Sequence, residues 1–111
     1  MKIDMEDGPG GIVILKPEGR LNMVAAPAVR EAIASIVEGG KTKIAVDLSG
    51  VDFIDSSGLG ALTSGLKTTR QAGGDLRIAG ANDQVKLVLS LTNLERVLTP
   101  YDTVENAYGD A

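Results

Sequence analysis

Short apolar runs alternate along this chain with segments in which apolar residues recur at helical spacing. Residues 12–15 and 43–48 are rich in Ile, Val and Leu, and each run has the length of a buried strand. We expect the first run to end at Pro17. Residues 76–78 predict a further strand, and residues 97–100 a short edge strand that ends at its proline. The hydrophobic pattern therefore predicts several strands separated by helices.

Three segments have the apolar spacing of helices that pack one face on a sheet. Their apolar positions are Val29, Ile33, Ile36 and Val37 in the first, Leu59, Leu62 and Leu66 in the second, and Val85, Leu87, Val88, Leu89, Leu91 and Leu94 in the third. The first helix is expected to begin near Pro27 and to stop at Gly39-Gly40. The third apolar surface is broader than one core-facing stripe requires, so either it is wedged deeply into the core or part of it meets a partner. Asp102 and Glu105 have the spacing of a capping box, which predicts a last short helix over residues 103–108.

This order of elements predicts an α/β fold in a single domain over residues 1–111. The Gly-rich segment 8–11 is expected to be a turn between a short first strand and the second, which indicates a mixed rather than a purely parallel sheet. With 43% hydrophobic residues in 111, the chain can bury one core. No repeat or long linker interrupts the pattern.

Composition excludes several classes of function. The net charge of −4, from 15 acidic and 11 basic residues, argues against a nucleic-acid partner, which would need clustered positive charge. Cysteine and histidine are absent, so disulfides, thiolate nucleophiles, Cys/His zinc sites and imidazole catalysis are excluded. We expect no metal and no cofactor. The N-terminus lacks the apolar run of a signal peptide, and no segment approaches the roughly 20 apolar residues of a membrane span, so we expect a cytoplasmic protein without membrane insertion.

The segment Asp55-Ser56-Ser57-Gly58 lies where the strand after residue 43 is expected to stop and the second helix to begin. A helix start offers unpaired N–H groups and a partial positive charge, so a hydroxyl can cap it or an anion can bind there. Either serine is therefore a candidate cap, and either could carry a phosphate. Gly58 and Gly60 permit a tight turn and close helix–sheet packing, or equally the close approach of a partner.

Three stretches of the chain resemble the anti-sigma factor antagonist family of bacterial STAS domains. They are Asp55-Ser56-Ser57-Gly58-Leu59-Gly60, the segment 70–78 around Gly73-Gly74, and Pro17-Glu18-Gly19-Arg20-Leu21-Asn22. The resemblance covers nearly the whole chain, and the serine junction is its specific part. It implies a small mixed β-sheet with helices packed mainly on one side. Asn22 departs from the family, in which an Asp is frequent at this position, and Asn keeps the hydrogen-bonding capacity but not the charge.

The resemblance also implies a function. Ser56 follows the motif aspartate and corresponds to the residue that is phosphorylated in the family, while Asn22, Asp55, Ser57, Gly58, Leu59 and Gly60 would form the partner-binding surface. The unphosphorylated protein, a monomer when free, would bind an anti-sigma factor with serine kinase activity and so free a sigma factor. Phosphorylation would end the complex, and a metal-dependent serine phosphatase would restore it. By its residue type alone, Leu59 is expected in the core rather than at an interface.

Two other classes of function remain open. The domain could be a constitutive adaptor subunit of a membrane transporter or signalling assembly, in which case Ser56 would be structural and the face around Leu87, Leu91 and Leu94 would matter more. A hydrolase using Ser56 would need a carboxylate or lysine as its base, and none has a recognisable spacing. The chain also lacks a Walker loop and a Gly-x-Ser-x-Gly elbow, so we expect a kinase substrate rather than an enzyme, with ATP and magnesium bound by its partners.

Overall fold

The computed structural model describes residues 1–109, which form a mixed sheet of six strands with four helices. The strands are β1 (Lys2–Asp7), β2 (Val13–Leu21), β3 (Lys43–Asp47), β4 (Val51–Ile54), β5 (Asp75–Ala79) and β6 (Pro100–Tyr101). The helices are α1 (Ala26–Glu38), α2 (Ser56–Gln71), α3 (Asp83–Leu91) and α4 (Val104–Ala107), and a 3-10 turn, Pro9–Gly11, joins β1 to β2. No helix in this part of the chain is long and apolar enough to cross a membrane.

The sheet has the strand order β1-β2-β3-β5-β6, and β4 pairs with β2 outside this path. Only β1 and β2 are antiparallel among these strands, while β2, β3, β4, β5 and β6 pair in parallel. The antiparallel pair is the one joined by the Gly-rich turn. The prediction of a mixed sheet is therefore confirmed.

Strand β2 is longer than the sequence pattern predicted, because it does not end at Pro17. Its first half pairs with β3 from Val13 to Leu15, and its last three residues pair with β4, with a register shift between Gly19 and Arg20. Pro17 is paired with Ile3 of β1 on one side and lies, on the other, between the stretches that pair with β3 and with β4. A residue without an N–H is tolerated where a ladder is interrupted in this way. The long strand thus carries the chain from the sheet to the edge where β4 ends.

The strand that enters the serine junction is also different from the predicted one. Strand β3 ends at Asp47, the chain turns at residues 48–50 with Val51 N donating to Leu48 O at 2.9 Å, and β4 begins. The two strands occupy different places on the sheet, because β3 pairs with the first half of β2 and with β5, whereas β4 pairs with the end of β2. The expectation of one continuous strand leading to Asp55 was therefore wrong.

Helices α1, α2 and α3 cover one face of the sheet and form the larger core. Its fully buried residues include Leu15, Ile33, Ile44, Leu62, Ile78, Val85 and Leu89. The opposite face is covered by α4, which packs Ala107 and Tyr108 on Ala45 and Ala79. The Tyr108 hydroxyl lies 2.9 Å from Ile44 O and 3.1 Å from Asp75 O and donates to these carbonyls. The prediction of helices mainly on one side is confirmed.

Three local predictions need correction or can now be resolved. Pro100 begins β6 instead of ending an edge strand. Helix α4 is capped by Thr103, whose hydroxyl accepts from Asn106 N at 3.1 Å, so Asp102 is not the cap. In α3, Val85 and Leu89 are buried whereas Leu87 and Leu91 are exposed, so part of the broad apolar surface is left open to solvent.

Candidate functional site

The candidate site lies where the carboxyl ends of β2 and β4 meet. Leu21 and Ile54 are paired neighbours at the ends of these parallel strands, and Asp55 N donates to Leu21 O at 3.3 Å. The loop that follows β2 and the first turn of α2 consequently leave the sheet side by side. The structure thus brings the predicted loop residue Asn22 into the same region as the serine junction.

Asp55 caps helix α2, and neither serine does. Its backbone is extended, with φ −113° and ψ −175°, and its Oδ1 accepts from Gly58 N at 2.8 Å. The second carboxylate oxygen, Oδ2, accepts from Met23 N at 3.2 Å in the neighbouring loop. One carboxylate therefore satisfies a helix N-terminus and ties it to the β2–α1 loop.

Ser56 and Ser57 are the first two residues of α2. Ser56 is exposed, and Ser57 is half-buried. Within residues 1–109, neither hydroxyl has a hydrogen-bond partner, because the capping bond comes from Asp55. The Ser56 hydroxyl is thus open to solvent and is not used by the fold.

Asn22 shapes the adjoining loop. Its Oδ1 accepts from Val24 N and from Ala25 N, each at 3.1 Å, and its backbone carbonyl accepts from Ala26 N at 2.9 Å. These bonds fold the chain into the start of α1 and need an acceptor oxygen rather than a negative charge. Asn22 can therefore keep the loop geometry without the carboxylate that is frequent in the family.

Two exposed apolar side chains on the loop bonded to Asp55 were missed by sequence reasoning. Met23 is 71% exposed and Val24 is 84% exposed, and both sit on the loop that Asp55 holds. Consecutive apolar residues in a segment with neither strand nor helix spacing were the available signal. Apolar side chains of this exposure on a fixed loop are typical of a contact surface.

The three remaining predicted residues have different degrees of access. A Cβ on Gly58 would overlap the carbonyl oxygen of Leu21, so this glycine is required for close packing of α2 on β2. Leu59 is 3% exposed and belongs to the core, so a partner can reach little of it. Gly60 is half-buried. The nearest atom to a Cβ placed on it would be Arg30 Nη2 at 3.7 Å, so there is room for a side chain at this position. Of the predicted surface, Ser56 is exposed, Asn22, Asp55, Ser57 and Gly60 are half-buried, and only Gly58 and Leu59 are buried.

Side chains of α3 hold the outer edge of β4. Gln84 Oε1 accepts from Ile54 N and its Nε2 donates to Ile54 O, both at 2.9 Å, so this one amide replaces a neighbouring strand. Asn82 caps α3 through Val85 N at 2.9 Å, and its Nδ2 donates to Val51 O at 3.3 Å. The strand immediately before Asp55 is therefore bonded on both sides.

The arrangement offers binding chemistry rather than an evident catalytic set. Both oxygens of Asp55 are engaged by backbone N–H groups, so no side chain in residues 1–109 is placed as a hydrogen-bonded base for Ser56. The same part of the chain contains no group of three or more His, Cys, Asp or Glu residues that could hold a metal ion. The site can present a nucleophilic hydroxyl to another protein.

Known proteins share this architecture. A model of the STAS domain matches residues 5–107. A protein of Thermotoga maritima named as an anti-sigma factor antagonist is 37% identical over 97 residues, which cover 86% of each chain. The anti-sigma F factor antagonist of Paenibacillus polymyxa is 28% identical over 108 residues, covering 96% of this chain and 92% of its own. A crystal structure of an anti-sigma factor antagonist from Thermotoga maritima matches this chain with a TM-score of 0.89 and 33% identity. The match covers 97% of this chain and 92% of that chain.

Proposed function

The chain belongs to the STAS domain family, and on this premise we propose that it is an anti-sigma factor antagonist switched by phosphorylation of Ser56. The unphosphorylated form binds an anti-sigma factor that has serine kinase activity, and a sigma factor is thereby freed. The kinase transfers the phosphate from ATP to Ser56, and the complex then dissociates. A serine phosphatase removes the phosphate and restores binding.

The observation that carries this proposal is the state of the Ser56 hydroxyl. It is exposed and takes no part in capping α2, and Met23 and Val24 expose apolar surface on the loop that is bonded to the adjacent Asp55. A kinase can reach such a hydroxyl without unfolding the helix. A partner that covers Met23 and Val24 would also cover Ser56, so binding and modification would use one surface.

The charge of phosphoserine explains how modification ends binding. A phosphate adds roughly −1.5 to −2 charges, and the N-terminus of α2 stabilises part of that charge. Asp55 already places a carboxylate at the same helix start. A partner that buried the phosphate without a matching cation would lose several kcal/mol, because an unpaired charge would be removed from water.

The test of modification is intact-protein mass spectrometry after incubation with the candidate kinase, ATP and magnesium. We expect one phosphate on the wild-type chain and on Ser57→Ala, and none on Ser56→Ala. The Ser57→Ala variant is the matched control, because its hydroxyl is adjacent and also unbonded. Transfer to Ser57, or no transfer by a kinase that binds the chain, would refute the role of Ser56.

The test of the switch is the affinity for that anti-sigma factor. Ser56→Asp should weaken binding by at least tenfold, which corresponds to about 1.4 kcal/mol. Ser64→Asp adds the same charge to the exposed face of α2 about two turns away and should leave the affinity unchanged. Equal weakening by both variants would show a general charge effect instead of a switch at Ser56.

A second candidate function is a constitutive adaptor in a transporter or signalling assembly. The observation in its favour is the open apolar face of α3, where Leu87 is 57% exposed and Leu91 is 74% exposed. In that case partner binding would be lost in Leu87→Asp or Leu91→Asp and would be insensitive to Ser56→Asp. The antagonist proposal predicts the opposite: Ser56→Asp weakens partner binding, whereas Leu87→Asp and Leu91→Asp leave it unchanged.

The proposal also concerns catalysis, oligomeric state and cellular location. We infer that it is a kinase substrate and not a catalyst, that it works as a monomer when free, and that it does so in the cytoplasm where sigma factors act. ATP and magnesium are bound by the kinase. Sedimentation of the purified chain across a range of concentrations tests the monomeric state.

A further inference from the structure

An apolar groove lies at the end of α2 opposite Ser56. Its volume is about 500 Å³, and it lies between one face of α2 and the segment that follows α3. The lining residues that matter here are Thr63, Leu66, Lys67 and Arg70 of α2, with Leu94 and Val97 across from them. Val97 is 41% exposed, so apolar surface is left open in the groove.

The shape of the groove favours a helix as its occupant. Small-molecule sites enclose most of their ligand, whereas this groove is open to solvent along its length. Its α2 wall runs from Thr63 to Gln71, which spans about 12 Å at 1.5 Å per residue. About two turns of a second helix fit beside such a wall, with apolar residues at i, i+3 and i+4 facing Leu94 and Val97. Leu66 is only 4% exposed and forms the floor of the groove.

The charge around the groove selects the chemistry of that helix. The chain as a whole has a net charge of −4, yet Lys67 and Arg70 rim the groove. A separate polar cavity of about 160 Å³ shares Arg70 and Val97 with the groove. The charged residues of that cavity are three arginines and one aspartate: Arg70, Arg77, Arg96 and Asp75.

The single aspartate is already shared by two of these arginines. Arg70 Nε lies 3.4 Å from Asp75 Oδ1, and Arg77 Nε lies 3.1 Å from Asp75 Oδ2. Within residues 1–109, Lys67 and Arg96 have no carboxylate within ion-pair distance. The segment 94–97 also carries one exposed carboxylate, Glu95, next to Arg96. Cations still outnumber carboxylates at this end of an acidic protein, so it would attract acidic side chains.

We propose that the groove between α2 and residues 94–97 binds a short amphipathic helix of a partner protein that carries acidic residues around its apolar face. The groove is separate from the phosphorylation switch. From Ser56 to Arg70 is about 20 Å along the helix, which exceeds the Debye length of roughly 8 Å at physiological salt. A partner bound in the groove therefore stays bound whether or not Ser56 carries a phosphate.

The probe is a fluorescein-labelled peptide of about 16 residues, long enough for measurable helicity, with Leu at i, i+3, i+4 and i+7 and Glu on its other faces. The control peptide has every Glu replaced by Lys. The full chain should bind the acidic peptide about tenfold tighter than the basic one at low salt. Amide shifts in the NMR spectrum should change at residues 63–71 and 94–97.

Variants of the chain locate the binding. Val97→Asp and Lys67→Glu should each lower the affinity for the acidic peptide by about fivefold or more. Leu91→Asp is the matched control, because it changes an exposed apolar residue outside the groove, and Ser56→Asp tests independence from the switch. Both should bind the peptide like the wild type, and thermal melts should show all four variants folded.

Several results would overturn the proposal. They are the absence of saturable binding, equal affinity for the two peptides, shifts confined to α3 or to the Ser56 end, and loss of binding in Leu91→Asp. Concentration-dependent self-association of the chain that Val97→Asp abolishes would assign the groove to a second copy instead. The outcome does not depend on whether Ser56 is phosphorylated by any kinase, so this proposal and the antagonist proposal can fail separately.

Discussion

Replacing Gly58 by alanine tests the packing on which the candidate site is built. The new Cβ would overlap Leu21 O and approach Leu21 Cγ at 2.8 Å. The obstacle is a backbone carbonyl in a paired strand, and that carbonyl also accepts from Asp55 N at 3.3 Å. Relief therefore requires α2 to move away from β2, which disturbs the cap and the loop that the cap holds.

The magnitude follows from two opposing contributions. Alanine in place of glycine within a helix stabilises it by about 1 kcal/mol. Overpacking against a wall that cannot yield costs about 3 kcal/mol. We expect Gly58→Ala to lower the free energy of unfolding by about 2 kcal/mol, a large part of the total for a domain of this size.

Gly60 provides the matched control on the same helix. A Cβ there would meet only Arg30 Nη2, at the ordinary contact distance of 3.7 Å. Gly60→Ala should thus gain about 0.5–1 kcal/mol from helix propensity alone. The two variants should differ by about 3 kcal/mol, or roughly 12 °C in Tm.

The assay is urea unfolding followed by circular dichroism, with Tm from thermal melts as a second measure. Equal stability of the two variants would refute the packing argument. If Gly58→Ala were as stable as the wild type and lost only its affinity for the anti-sigma factor, the glycine would serve the approach of a partner, which is the other role its residue type allowed.

The remaining predictions concern the bonds that hold the site and the back face. Asp55→Ala should lower the free energy of unfolding by about 1–2 kcal/mol in urea, since it removes the cap of α2 and the bond to the loop. The carboxylate of Gln84→Glu cannot donate to Ile54 O, so this variant should lower the free energy of unfolding by about 1–3 kcal/mol. Hydrogen exchange at the Ile54 amide should become faster, and unchanged exchange would contradict the role of Gln84 in holding the edge of β4. Burial raises the pKa of the Tyr108 hydroxyl from its ordinary 10.0 to about 12. The neutral hydroxyl therefore contributes its full free energy to folding below pH 10, and this contribution is lost as the pH rises to 12. Tyr108→Phe should flatten the fall in unfolding free energy between these pH values, and an equally steep fall in the variant would contradict this.

The parts of the fold set by local pattern could be predicted from the sequence. Helix α1 begins with Pro27 in its first turn and ends before Gly39, as its apolar spacing and these two residues indicated. The start of α2 was placed correctly because the residues that favour a helix N-terminus are adjacent in the chain. The expected cap was wrong: a serine was taken as the candidate, whereas Asp55 accepts from Gly58 N. The pattern could not choose, because Asp and Ser are both good capping residues.

What the sequence did not reveal depends on residues far apart in the chain. Strands β3 and β4 were taken as one strand, because what separates them is pairing with distant residues: β3 pairs with β5 and the first half of β2, and β4 with the end of β2. The bond from Met23 to Asp55 joins residues 32 apart, and Gln84 contacts Ile54 across 30 residues. No periodicity within a helix or strand indicates such a contact, so the way in which the site is held became visible only in the folded chain.

These long-range bonds bear on how a phosphate at Ser56 would act. Strand β4 is fixed by Leu21 on one side and by Gln84 on the other, and Asp55 fixes both the helix start and the Met23 loop. None of these bonds uses the Ser56 hydroxyl, so a phosphate on it need not break any of them. The proposed switch is therefore a change in the charge of a preformed surface, with little change in its shape. Overlaid amide spectra of the wild type and Ser56→Asp should differ near the helix start and agree at Ile54 and along β4, whereas shifts throughout β4 and α3 would show that the switch works by rearranging the fold.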